Sequence, residues 1–137
     1  MRTALDTNVL SALWNKEPTA ESLTAMLGAA AEAGSVVLCA AVYAELVARP
    51  QSTEESVWRF ITDTRIVVDF ELTEEVWVEA GRAFRRYSER RARSGAGPAL
   101  RLLADFIIGA HALVMADRLM TLDRGRYERD FPQLKLI

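Results

Sequence analysis

Short apolar runs and longer segments with helical spacing alternate along the chain. The runs are continuous and rich in Val, Ile and Leu, which is typical of strands that are buried on both faces. Strands that alternate with helices usually form a parallel sheet between two layers of helices, and we expect that fold here. The runs cover residues 3–5, 36–39, 66–70, 119–122 and 134–137.

The segments between the runs carry apolar residues three and four positions apart, and residues that commonly begin or end helices mark their ends. Gly34 stands at the end of the second segment, and Pro50 follows the third. Ser52 and Glu55 have the spacing of a capping box, and Thr73 is a candidate N-cap. The predicted helices cover residues 9–15, 20–33, 41–48 and 102–115, and two more begin near Ser52 and Thr73.

The organisation of the chain is simple. Residues 93–101, RSGAGPALR, contain two Gly and one Pro and predict a mobile loop. There is no internal repeat or domain linker, and a length of 137 residues fits one domain, so we expect residues 1–137 to fold together. The composition, 50% hydrophobic and 26% charged, is that of a globular protein.

Cysteine content and the length of the apolar runs bear on location. Cys39 is the only cysteine and has no partner for an internal disulfide, which suits a reducing compartment. No run approaches the roughly 18 apolar residues of a membrane span, and the first run is too short for a signal peptide. We therefore expect a cytoplasmic protein without a membrane segment.

Charge is distributed unevenly. The net charge of −2 does not indicate a nucleic-acid-binding protein, but residues 82–101 contain seven Arg and one Glu. The planar guanidinium groups of this arginine-rich segment could hold the phosphates of a nucleic acid. A solvated helix face in a sequence that favours Arg explains the pattern equally well.

Four carboxylates stand at the ends of apolar runs or inside apolar helical segments. Asp6 and Asp123 follow the first and fourth runs, and open parallel sheets bind ligands beyond the carboxyl ends of their strands. Glu45 and Asp105 have almost wholly apolar neighbours, and acids are rarely buried without a partner. The two acids in apolar helical segments therefore need an explanation.

Three arrangements would accommodate the acids. Each acid could lie at a helix surface or beside an arginine, some could form buried salt bridges, or all four could converge. Converging carboxylates repel by about 4 kcal/mol per pair at about 4 Å and an effective dielectric of about 20, so convergence requires a cation.

A set of carboxylate ligands suits Mg²⁺ or Mn²⁺, whereas Zn²⁺ prefers Cys and His. Thr7, Asn8 and Thr121 flank the acids and are candidates to orient them through hydrogen bonds. Helix capping by Asn8 and strand packing by Thr121 are the alternatives.

The four acids lie in the segments LDTNVLSAL, AELV, LADFIIGAHAL and TLDRGRY…FPQLKLI. In this order the segments resemble the four acidic blocks of PIN-domain ribonucleases, and the chain is most similar to the VapC-type toxins of bacterial toxin–antitoxin pairs. The resemblance implies a three-layer α/β/α sandwich around a mostly parallel five-stranded sheet. It also implies an endoribonuclease that depends on Mg²⁺ or Mn²⁺, a homodimer, and inhibition by a small cognate antitoxin.

By this resemblance Asp6, Glu45, Asp105 and Asp123 are the catalytic and metal-binding acids, and Thr7, Asn8 and Thr121 support them. Our hypothesis is that the first three hold one or two divalent ions, while Asp123 helps to hold a second ion or the attacking water. Hydrolysis by metal-activated water would leave a 5′-phosphate and a 3′-hydroxyl.

Other polar residues are weaker candidates. Arg93 and Arg101 could contact RNA near the acids, or could simply belong to a connecting loop. His111 lies about 240° around the helix from Asp105, so we expect it to pack or lie at the surface instead of acting as a general base.

Two other functional classes remain open. A PIN-like interaction module would bind a partner without significant nuclease activity, and changing its acids to amides would leave its function intact. Phosphoryl transfer through Asp6 as a nucleophile generally needs a second acid two residues later, where this chain has Asn8. Dinucleotide binding is disfavoured because no Gly-rich turn follows a strand.

Overall fold

The structure, a computed structural model, describes residues 1–98 and 100–137. In this part of the chain four strands alternate with seven helices. The strands are β1 (Arg2–Leu5), β2 (Ser35–Cys39), β3 (Val67–Asp69) and β4 (Arg118–Met120). The helices are α1 (Thr7–Trp14), α2 (Ala20–Ala33), α3 (Ala40–Val47), α4 (Glu54–Thr64), α5 (Glu74–Ser94), α6 (Leu103–Met115) and α7 (Arg124–Asp130).

The strands form one parallel sheet in the order β3-β2-β1-β4. Leu5 at the end of β1 pairs with Leu38 on one side and Met120 on the other. The chain leaves β1 toward β2 and later returns to the opposite side of β1 as β4. The sheet therefore has its topological switch point between β1 and β4, where ligands bind in open α/β sheets.

Helices cover both faces of the sheet. Successive side chains of a strand point to opposite faces, yet residues 3–5 of β1 and 36–39 of β2 are all buried. Helix α6 contacts β1, β2 and β4, whereas α2 packs against β2. This arrangement confirms the predicted three-layer α/β sandwich with a parallel sheet.

The predicted fifth strand is reduced to a single parallel bridge between Leu119 and Leu136. Around it the Leu119 N–H donates to the Lys135 carbonyl at 2.8 Å, and the Ile137 N–H donates to the Leu119 carbonyl at 2.9 Å. The C-terminal segment thus protects the β4 edge of the sheet with only a few hydrogen bonds.

Two local features differ from the sequence prediction. The capping box of α4 is formed by Thr53 and Ser56, one residue later than the predicted Ser52 and Glu55. Thr53 has the extended backbone that an N-cap requires, and its hydroxyl accepts from the Ser56 N–H at 3.0 Å. Helix α7, at residues 124–130, was not predicted.

Aromatic packing joins α5, α6 and α7. Phe106 of α6 contacts Phe84 and Tyr87 of α5, with ring centroids 5.0 and 5.4 Å away. A Cβ atom at Gly109 would lie 2.2 Å from the Phe131 ring, so only glycine allows this close approach. This packing sets the position of α7 relative to the first turn of α6.

No helix in the described ranges is both long and apolar enough to cross a membrane. The prediction of a cytoplasmic location is not tested by this finding.

Candidate active site

Asp6 lies at the switch point, immediately after β1. Its side chain is 4% exposed, and Oδ2 accepts a 2.8 Å hydrogen bond from the hydroxyl of Thr121, the residue that follows β4. Asp6 occupies the N-cap position of α1, but its carboxylate caps no backbone N–H. The carboxylate is therefore turned toward the sheet edge and is not used to begin the helix.

Thr121 and Asn8 connect the start of α1 to the segment after β4. The Thr121 hydroxyl accepts from the Asp123 N–H at 3.0 Å and from the Asn8 amide at 3.4 Å. The Asn8 side-chain oxygen accepts from the Leu122 N–H at 3.1 Å. These hydrogen bonds fix the hydroxyl that orients Asp6.

Glu45 reaches the same region from α3, which begins directly after β2. The Thr7 hydroxyl donates to its carboxylate, so Thr7 links the beginning of α1 to Glu45. Glu45 is half-buried because Val42 and Leu46 on the same helix are part of the core. The helical periodicity that buries those two residues brings Glu45 to the edge of the core.

Asp105 lies in the first turn of α6, where negative charge is favoured by the helix dipole. Arg126 of α7 donates from Nη1 to Asp105 Oδ1 at 3.0 Å, and Arg101 Nε lies 3.8 Å from Oδ2. Arg126 Nε also lies 3.0 Å from Asp123 Oδ2. One guanidinium therefore connects two of the predicted acids.

A cavity of about 400 Å³ opens between these elements. Three of the predicted acids line it together with Thr7 and Asn8, whereas Asp123 does not. A larger cavity of about 670 Å³ is lined by α5, α6 and the segment after α7, away from the predicted acids. The smaller cavity is lined by Asp6, Thr7, Asn8, Ser11, Glu17, Glu45, Asp105, Leu122 and Arg126.

Burial perturbs two of the acids. Desolvation raises the pKa of Asp6 above its usual range, although the Thr121 hydrogen bond opposes that effect. Burial also raises the pKa of Glu45; the Thr7 hydrogen bond lowers it, and the nearby Asp105 and Asp6 raise it. Perturbed carboxylates grouped in a cleft are typical of functional sites.

Tyr127 of α7 lies behind this group. Burial raises the pKa of its phenol, and the neighbouring Asp6 carboxylate acts in the same direction. Within the described residues the hydroxyl does not complete a hydrogen bond of good geometry.

The acids are near one another but do not form a closed ligand set. Within residues 1–98 and 100–137, no three His, Cys, Asp or Glu side chains are close enough together to hold a metal ion. The donor chemistry nevertheless fits Mg²⁺ or Mn²⁺, because Asp6, Glu45 and Asp105 offer only oxygen ligands to one cavity. Asp123 lines a neighbouring cavity with Arg126.

The profile of the PIN domain family matches residues 3–132. The chain belongs to the PIN domain family. This match spans all four predicted acids and almost the whole sheet.

Several solved structures share the fold of this PIN domain. VapBC2 from Rickettsia felis, bound to a DNA fragment from their promoter, has a TM-score of 0.73 at 22% identity and covers 100% of this chain and 98% of that chain. VapBC-1 from nontypeable Haemophilus influenzae has a TM-score of 0.65 at 20% identity, and the match covers 100% of this chain and 97% of that chain. FitAB bound to an IR36 DNA fragment has a TM-score of 0.65 at 21% identity, and the match covers 98% of this chain and 93% of that chain. No curated protein matches the sequence closely enough to identify a relative.

The other predicted polar residues of this PIN domain lie outside the cavity. His111 is fully buried, and its Nε2 lies 2.7 Å from Asp69 Oδ2, as expected of a packing residue. Arg101 is bound to Asp130 and stacks on Phe106, with its guanidinium carbon 4.5 Å from the ring centroid. Geometry does not favour an RNA contact by Arg101, and that role stays an untested prediction.

Arg93 lies in the last turn of α5, because that helix continues to Ser94. Its predicted contact with RNA also stays untested. Ala99, within the predicted loop, lies outside the described residues.

Sequence reasoning missed Arg126 and Glu17 as parts of the cavity. Arg126 stands three residues after Asp123, and this spacing predicts an ion pair across one helical turn. No local signal predicts its contact with Asp105, which is 21 residues away. Glu17 follows α1 in an exposed turn and has the sequence of an ordinary surface residue.

Proposed function

We propose that this PIN domain is a VapC-type endoribonuclease that depends on Mg²⁺ or Mn²⁺. The observation that carries the proposal is the convergence of Asp6, Glu45 and Asp105 in one open cavity. They come from the end of β1, from α3 and from the first turn of α6, so the fold gathers them from positions far apart in the sequence.

In the proposed reaction Asp6, Glu45 and Asp105 would hold the divalent ion. A bound Mg²⁺ or Mn²⁺ would supply an activated water and neutralise charge on the scissile phosphate. Thr121 keeps the Asp6 carboxylate in position, and Thr7 does the same for Glu45. In this proposal a single RNA strand reaches the three acids from the open side of the cavity.

Cleavage of RNA by the purified chain tests this proposal. Wild type with Mn²⁺ or Mg²⁺ is expected to produce fragments with 5′-phosphates, and EDTA should stop the reaction. Asp6→Asn and Asp105→Asn should each abolish cleavage. Asp63→Asn is the matched control, because Asp63 is exposed on α4 and should leave cleavage unchanged.

The outcomes separate the candidate functions. Cleavage that persists in EDTA and in Asp6→Asn would contradict the metal mechanism, and a 2′,3′-cyclic phosphate would indicate attack by the ribose hydroxyl. A folded wild type that cuts no RNA would favour the interaction module.

We also propose that a small antitoxin binds and inhibits this PIN domain. Support comes from the resemblance to VapC toxins and from similar folds in VapBC and FitAB structures. Co-expression with its small cognate antitoxin should yield a stable complex without RNA cleavage. An active chain that purifies alone from this co-expression would contradict the proposal, and light scattering on the free chain tests the predicted homodimer.

A further inference from the structure

Arg126 holds two predicted site acids at once. Its Nη1 donates to Asp105 Oδ1 at 3.0 Å, and its Nε lies 3.0 Å from Asp123 Oδ2. The guanidinium thus uses two different nitrogens for two carboxylates, one in α6 and the other at the N-cap of α7. Because the guanidinium group is rigid and planar, this geometry keeps Asp105 and Asp123 on opposite sides of the positive charge of Arg126.

Charge in the cavity explains why such a group is needed. The cavity is lined by four acids and by one basic residue, Arg126. Carboxylates this close repel unless a cation lies among them. In the structure the guanidinium of Arg126 supplies positive charge beside Asp105.

We propose that Arg126 is a built-in counter-ion that competes with the divalent ion for Asp105, and that Asp123 anchors Arg126 and does not bind the metal. This inference rests on the proposed function. It differs from the sequence expectation, in which Asp123 helps to hold an ion or the attacking water. Asp123 supports the new role because it does not line the cavity, its side chain is 45% exposed, and its one ion pair in the described chain is with Arg126.

The two contacts of Arg126 have different consequences. If Asp105 bound a divalent ion, Nη1 would lose its acceptor, while Nε would keep its contact with Asp123. The side chain is 34% exposed, so it has room to turn toward solvent. Asp123 would then keep the released guanidinium beside the cavity.

Mn²⁺ binding by the full metal-free chain, measured by calorimetry, tests the competition without relying on activity. Arg126→Gln removes the competing cation and is expected to tighten Mn²⁺ binding roughly tenfold, which is about 1.4 kcal/mol. Arg124→Gln is the matched control. Arg124 lies two residues before Arg126 and pairs with the exposed Glu128, so this variant removes the same charge without touching the site. It should change Mn²⁺ affinity less than about twofold.

A double variant tests the role of Asp123. In the Arg126→Gln background, Asp123→Asn should alter Mn²⁺ affinity less than about twofold, because Asp123 no longer has a guanidinium group to position. A metal ligand would instead lose affinity at least about tenfold in that background.

The outcomes distinguish this inference from the proposed function. Mn²⁺ binding that Arg126→Gln leaves unchanged, or that Arg124→Gln tightens equally, overturns the competition. A large loss from Asp123→Asn in the Arg126→Gln background overturns the anchoring role. If no variant binds Mn²⁺, including Arg126→Gln, the metal centre of the proposed function fails as well.

Discussion

A substitution at Thr121 gives the strongest test of how the fold holds the carboxylate of Asp6 in position. The residue is 5% exposed, and its hydroxyl donates to Asp6 while accepting from the Asp123 N–H. Thr121→Val keeps the shape of the side chain but removes the hydroxyl. The buried Asp6 carboxylate then loses its closest donor, and the Asp123 N–H loses its acceptor.

The structure sets the expected magnitude. A hydrogen bond to a charged group contributes about 1.5–3 kcal/mol, and the geometry at 2.8 Å is favourable. We therefore expect Thr121→Val to lower the free energy of unfolding by about 2 kcal/mol. For a chain of this size the melting temperature should fall by roughly 6–10 °C.

Urea unfolding followed by tryptophan fluorescence in EDTA measures this loss without a contribution from bound metal. A double-mutant cycle with Asp6→Ala isolates the pair, because Thr121→Val should cost less when no carboxylate is present. We expect a coupling energy of about 1–2 kcal/mol. A coupling below about 0.5 kcal/mol would refute the claim that Thr121 holds Asp6 in place.

Two further predictions concern charge. Because burial raises the pKa of Asp6, the folded state binds this proton more tightly than the unfolded state, so stability is lost as pH rises above the ordinary value of 3.8. Asp6→Asn should flatten this decline in metal-free stability, and an unchanged slope would contradict the assignment. Asp130 is 1% exposed and bound by Arg90 and Arg101, so Asp130→Ala should cost about 3 kcal/mol in urea unfolding, whereas Glu128→Ala, which removes an exposed pair, should cost less than about 0.5 kcal/mol.

The class of fold was predictable because its signals are local. A strand that is buried on both faces must be continuously apolar, and residues 36–39 show this without reference to any other part of the chain. Helix boundaries were less accurate. Thr53 begins α4 in place of Ser52, since the cap is chosen by the backbone angles that the preceding turn allows.

Positions of the acids were partly predictable. Asp6 follows a strand whose end had to meet the ends of its parallel neighbours, and Glu45 and Asp105 stood out because acids are costly in apolar segments. Sequence alone did not separate a cluster from isolated salt bridges. The structure places Asp6, Glu45 and Asp105 around one cavity but assigns Asp123 to Arg126.

The sequence by itself determined most of the strands and helices and which residues are charged, because periodicity and residue chemistry act over a few positions. Tertiary structure alone decided which charges meet. Arg126 reaches Asp105 because Phe131 packs against Gly109 and so places α7 beside the first turn of α6. Arg101 is buried against Asp130 and Phe106 for a similar reason, although its sequence neighbours suggested an exposed loop. Such contacts depend on how whole elements pack, and packing is a property of the complete chain.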